Sequence, residues 1–172
     1  MSAVVAGGTR AFVAWFRDTL RWDVTFFQKV KWHWADDLVR PAGSAILRRR
    51  EEVDPSVDTV SLPIIEKISF GGEISVTEPE DRVGYKGRLF WAHHGDLVYS
   101  KIRVKQGSLA IVPDETREIA VSAEYPVYEI NAKVADPRYL AVVFRSAPFM
   151  QWLEALSHGG STKTSIPPEE FE

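Results

Sequence analysis

The run Gly95-Asp96-Leu97-Val98-Tyr99-Ser100-Lys101-Ile102, then Gln106-Gly107, then Ser108-Leu109-Ala110-Ile111-Val112, constrains the fold of this chain more than any other stretch. Both runs have strand length and strand composition, and the interval between them ends on a glycine. The pair therefore predicts a β-hairpin at the centre of the domain. Alternation puts Leu97, Tyr99 and Lys101 on one face and Val98, Ser100 and Ile102 on the other. Neither face is purely apolar, so at least one of Tyr99, Ser100 and Lys101 is expected at a polar surface. Arg103 and Lys105 continue the period of Lys101, which sets three cations along one side of an extended segment, a row suited to a polyanion.

Charge distribution says more than net charge. The formal charge of -3 argues against a nucleic-acid partner, which calls for a basic footprint. Between Arg82 and Lys105, however, six bases (Arg82, Lys86, Arg88, Lys101, Arg103, Lys105) face the single acid Asp96. Between Lys29 and Arg50 another six (Lys29, Lys31, Arg40, Arg48, Arg49, Arg50) face Asp36 and Asp37. The acids gather over 51–58, 73–81, 114–118 and 169–172, so a basic face with an acidic back is expected.

The 172 residues, 45% of them hydrophobic and 12% aromatic, suffice for one sizeable core. With no cysteine there is neither a disulfide nor a thiolate metal site. No apolar run approaches the roughly 18 residues of a membrane span, and the N-terminus lacks a basic leader, so a cytoplasmic protein is expected.

Along the chain, Thr9 is placed to cap a helix whose apolar positions Phe12, Val13, Trp15, Phe16, Leu20 and Trp22 fall near helical spacing. Phe26 to Trp34 alternates Val30, Trp32 and Trp34 with Lys29, Lys31 and His33, a strand with an aromatic and a cationic face. Residues 36–47 have a helical look broken by Pro41 and Gly43, and 48–58 read as a charged loop. Strands are predicted over 60–65, 67–70, 73–76, 89–91, 119–121 and 127–130, with Gly71-Gly72 as a tight turn. After Asp136 and the first-turn proline Pro137 the period becomes helical, with a break at Pro148 and a stop at His158-Gly159-Gly160. An α+β fold follows: a single mixed domain with a twisted, largely antiparallel β-sheet, an N-terminal helix and a C-terminal helical pair. The division is a helical lead-in over 1–30 and one domain over 31–172.

Catalytic groups are few. His93 and His94 with Asp96 are the one combination open to metal or acid–base chemistry, but neighbouring strand residues point to opposite faces. The acids do not reproduce the spaced carboxylates and lysine of a nuclease, and no phosphate-binding glycine loop or nucleophile elbow is present. No metal, cofactor or catalytic residue is assigned, and the chain reads as a recogniser. The segment Ser161-Thr162-Lys163-Thr164-Ser165 is either a solvated loop or a phosphate clamp of hydroxyls, backbone N–H groups and one ammonium.

Gly95 to Ile102, Gly107, Ala110 to Pro113, Ser122 to Val127, Pro137-Arg138-Tyr139-Leu140, Gly159 to Ile166 and Pro168-Glu169-Glu170-Phe171 resemble, in order, the target recognition domain of type I restriction-modification specificity (S) subunits. Leu62-Pro63-Ile64-Ile65 with Gly72-Glu73-Ile74 is similar to that family's opening strands, and the likeness runs from about Val39 to the C-terminus. The resemblance implies a non-enzymatic, double-stranded-DNA-reading domain that directs separate methyltransferase and restriction subunits. Base flipping and S-adenosylmethionine then belong to the modification subunit. It also places Lys101 and the 161–165 loop at phosphates and sequence readout in loops near 82–88 and 32–50. The DNA-contacting set expected from residues and resemblance together is Lys86, Arg88, Tyr99, Ser100, Lys101, Arg103, Ser161, Thr162, Lys163 and Thr164. Specificity subunits usually carry two recognition domains, and this chain has one candidate domain, which leaves open a truncated product, a solitary reader and a split half-subunit that would need a homodimer to read two half-sites. The competing readings are a protein-interaction module docking on a methyltransferase without reading DNA, and an enzyme built on His93, His94, Asp96 and a distant carboxylate.

Overall fold

The computed structural model describes residues 5–6, 9–10, 40–54, 56–57, 62–77, 87–113, 118–156 and 165–171. The strands in chain order are β1 (Val5–Ala6), β2 (Thr9–Arg10), β3 (Ile46–Arg49), β4 (Ile64–Ile68), β5 (Ile74–Thr77), β6 (Leu89–Ala92), β7 (Leu97–Tyr99), β8 (Leu109–Ile111), β9 (Ile119–Ser122) and β10 (Val127–Ile130). Helices are α1 (Pro137–Val143), α2 (Ala147–Leu156) and α3 (Pro168–Phe171). Among the described residues, β1 and β2 pair only with each other. The remaining strands make two four-stranded sheets, ordered β3-β10-β7-β8 and β5-β4-β9-β6, where a single sheet was expected. The first is wholly antiparallel; the second carries one parallel pairing, β4 with β9.

The predicted central hairpin forms, with Leu97 opposite Ile111, Val98 opposite Ala110 and Tyr99 opposite Leu109. Its alternation explains why two sheets are needed. Leu97, Tyr99 and Leu109 join Tyr128, Leu140, Phe144, Leu153 and Phe171 in a core beneath the helices. Val98, Ala110 and Val127 pack the other way, against Ile65, Ile68, Ile119 and Val121 of the second sheet. A sheet covered on both sides needs apolar residues at consecutive positions, which Leu97-Val98-Tyr99 supplies.

Extended structure stops at Ser100, whose carbonyl accepts the N–H groups of Arg103 (3.1 Å) and Val104 (2.9 Å). One 3₁₀ turn over Val104–Gln106 follows, and buried Val104 draws it into the core. Lys101, Arg103 and Lys105 therefore do not form the expected straight row. Gly107 ends the turn at φ 96°, and a β-carbon there would sit 2.5 Å from the Phe70 carbonyl oxygen, so both backbone angle and space require glycine. Next to it, the Ser108 hydroxyl donates to the Ile68 carbonyl at 2.6 Å, fastening the hairpin connection to β4 of the other sheet.

Other expectations need correcting. Residues 36–47 hold no α-helix within the described part, because the chain makes a 3₁₀ turn at Ala42–Ser44 and then enters β3. The expected charged loop is partly strand: Arg48 and Arg49 pair with Tyr128 and Val127. The two strands predicted over 60–70 are one, β4, with a register shift between Ile65 and Lys67. The helical pair is present, with Asp136 capping α1 by accepting the Arg138 N–H at 2.8 Å. Its break falls at 144–146, and Pro148 sits in the first turn of α2, where its missing N–H leaves no gap. The N-terminal helix, the Phe26 to Trp34 strand and the His158-Gly159-Gly160 stop lie outside the described residues.

Candidate nucleic-acid interface

β3 is an edge of the first sheet and β6 an edge of the second. The chain leaving β3 crosses from one to the other: the Val53 N–H donates to the Leu89 carbonyl (2.9 Å) and the Trp91 N–H to the Glu51 carbonyl (2.8 Å). This crossing carries the Arg48-Arg49-Arg50 run alongside Arg88, which precedes β6. Lys101 arrives from the end of β7, held by a bond from its N–H to Glu124 (3.1 Å) and by its carbonyl, which accepts from Ile166 (3.0 Å). The result is a cavity of about 270 Å³ lined by Arg48, Arg49, Arg50, Arg88 and Lys101, with Phe90 and Tyr125 in the wall and no carboxylate among its lining residues.

The cations are held differently. Arg49 faces Asp96, which is 2% exposed, with Nε 2.8 Å from Oδ2 and Nη2 3.3 Å from Oδ1. The His93 N–H donates to the same carboxylate at 2.9 Å. Glu51 (3.7 Å) and Glu129 (3.4 Å) complete the surroundings of Arg49. Arg88 forms a two-point pair with Glu52, which holds the Glu52 carboxyl below its ordinary range. Arg48 donates to the Tyr128 hydroxyl at 3.2 Å and lies 5.1 Å over that ring. Its buried Nε has no hydrogen-bond partner among the described residues. Arg50 and Lys101 have no carboxylate partner among the described residues. Burial raises the Tyr125 phenol, offset in part by nearby Arg103, and its hydroxyl donates to the Glu66 carbonyl at 2.9 Å.

Of the residues expected to touch DNA, Arg88 and Lys101 come together at this cavity. Arg103 is exposed and is not among the cavity's lining residues. Tyr99 and Ser100 must be withdrawn as contacts. Tyr99 is 0% exposed, its ring 4.4 Å from that of Phe171, and its hydroxyl donates to the Ile166 carbonyl at 3.1 Å. Burial pushes its phenol far above the ordinary tyrosine range. Ser100 is buried, with its backbone spent on the hairpin connection. Lys86, Ser161, Thr162, Lys163 and Thr164 lie outside the described residues. Arg48, Arg49 and Arg50 fall in the 32–50 stretch expected to read sequence but were not in the named contact set, and Phe90 and Tyr125 were in neither. Three arginines directly after Ile46-Leu47 are the signal, misread because a charged run looks like a loop.

His93 Nε2 meets Glu51 at 2.8 Å, whereas His94 Nδ1 turns to the Pro113 carbonyl at 3.1 Å. The two imidazoles do not converge, and no set of three His, Cys, Asp or Glu placed to hold a metal occurs among the described residues. Among those residues no helix is long and apolar enough to cross a membrane.

No family model matches this chain, and no curated protein does. Its fold is similar to that of a solved chain from a structural study of complex assembly and conformational transition in the type I R-M system. The TM-score is 0.58 at 18% identity, over 77% of this chain and 35% of that one, so this chain spans about a third of that length.

Proposed function

We propose that residues 31–172 act as one sequence-specific, double-stranded-DNA recognition domain, of the kind that directs the methyltransferase and restriction subunits of a type I restriction-modification system, and that the chain performs no chemistry itself. The observation that carries this reading is the cavity where two sheet edges and the end of β7 bring five cations together, three of which, Arg48, Arg50 and Lys101, have no carboxylate partner among the described residues. Such a concentration of positive charge on a chain of net charge -3 suits phosphate contact and counterion release. The likeness in fold to a type I R-M chain supports the same reading. In it, Arg48, Arg50 and Lys101 meet phosphates and fix register, Lys163 with Ser161, Thr162 and Thr164 adds a second phosphate contact, and Lys86 and Arg88 stand toward the bases. The site is cytoplasmic, and a homodimer would present two copies to two half-sites.

Selection from a random duplex pool by the full chain, with and without a methyltransferase partner, tests the proposal. The expected result is one enriched sequence, with log K falling linearly in log salt concentration. Absence of salt-dependent duplex binding in both arms overturns it. A second reading, docking on a methyltransferase without reading DNA, has its own support in Tyr139 (65% exposed) and Val142 (68% exposed), neighbours on the open face of α1. Affinity for the methyltransferase with none for duplex favours that reading.

A further inference from the structure

Arg88 is held unlike the other cations of the cavity. Nε donates to Glu52 Oε1 and Nη2 to Glu52 Oε2, both at 2.7 Å, and the guanidinium carbon lies 5.5 Å over the Phe90 ring. Both anchors are themselves fixed, since Glu52 and Phe90 face each other as an antiparallel bridge between flanking backbone hydrogen bonds. The Arg88 side chain is nevertheless 71% exposed. An exposed pair of this kind contributes little to stability. Its effect is on geometry.

A guanidinium has five N–H groups. Glu52 takes the side-on pair, Nε–H and one Nη2–H. The end-on edge, Nη1–H beside the second Nη2–H, has no partner among the described residues. Two parallel donors at this spacing match the O6 and N7 acceptors of guanine in the major groove, whereas adenine offers N7 beside an amino group that repels the second donor. A phosphate also accepts from this edge, but the Arg88–Glu52 pair has no net charge to offer it. Arg50 and Lys101, without carboxylate partners among the described residues, carry that charge instead.

Resting on the duplex-recognition reading above, we infer that Arg88, oriented by Glu52 and Phe90, is a specificity-determining residue that reads one guanine end-on. Glu52 and Phe90 are positioning residues.

The test is duplex selection followed by binding measurements with the full chain, Arg88→Ala and Glu52→Gln, each first shown to melt as wild type does. Wild type is expected to select a site containing a guanine. Replacing that base by adenine, or by 7-deazaguanine, should weaken wild-type binding by about 5- to 150-fold for the natural base change and less for the loss of N7 alone. Arg88→Ala should bind all three duplexes alike, and Glu52→Gln should narrow the preference while binding the mismatched duplex at least as well as wild type. If Arg88→Ala lowers affinity for every duplex by one factor and keeps the guanine preference, the assignment is wrong and the recognition reading stands. An unchanged preference in Glu52→Gln overturns the positioning role. A wild-type chain that binds no duplex overturns both.

Discussion

Tyr99 and Lys101 stand two residues apart on what the sequence presents as one strand face, yet they belong to different regions. The helix-covered side of the first sheet takes Tyr99 into an aromatic cluster with Tyr128 and Phe171, its ring stacked on that of Phe171. The end of β7 takes Lys101 into a cavity with four arginines. One hydrogen-bonded turn at Ser100 separates the two roles. The difference teaches that position along a strand does not decide whether a polar side chain serves the core or a ligand; the point at which the strand ends does.

The largest effect expected on the core side is from Tyr99→Ala. It removes the ring stacked on Phe171 and should lower stability by about 3–5 kcal/mol in denaturant unfolding. A loss near zero would break the comparison by showing the cluster to be inessential.

Arg49 stands on the boundary. It lines the cavity but its guanidinium satisfies buried Asp96, so Arg49→Ala should cost about 1–3 kcal/mol in the same experiment, unlike its neighbour Arg50. Equal effects at 49 and 50 would erase the distinction between a cation that holds the fold and one that faces a ligand.

How much of this was legible follows from the same residues. The hairpin, the Gly71-Gly72 turn and the Asp136–Pro137 start of α1 were readable because turn glycines, alternation and caps are local signals. The second sheet was not, because β4 beside β9 and β9 beside β6 are pairings between distant segments that alternation alone cannot assign. Of the cations that line the cavity, charge clustering singled out Arg88 and Lys101. Arg48, Arg49 and Arg50 were placed in a readout loop over 32–50 but not among the named contacts, because nothing local distinguishes an arginine run in an edge strand from a solvated loop. Tyr99 was misassigned because its period matched Lys101, while its hydrogen bond to Ile166 lies 67 residues away in sequence.

A smaller effect sharpens the core side. Folding holds the Tyr99 phenol protonated well above its ordinary range, whereas the unfolded phenol ionises near pH 10. Stability from Tyr99 is thus full below about pH 10 and declines as pH rises beyond it. Tyr99→Phe should cost about 1 kcal/mol at pH 8 through the lost bond to Ile166, and the gap to wild type should narrow by pH 11. A constant gap would mean that the phenol is not confined as described.

The smallest stability effect belongs to the cavity. Arg50→Ala and Lys101→Ala should each change unfolding free energy by no more than about 0.5 kcal/mol. Their consequence is in binding, and there the central claim is tested most directly. The measurement is the salt dependence of duplex affinity for wild type and for the chain carrying both substitutions. The cavity account expects the double variant to bind every duplex more weakly, with the slope of log K against log salt flatter by about two. An unchanged slope in a protein that melts as wild type does would contradict it.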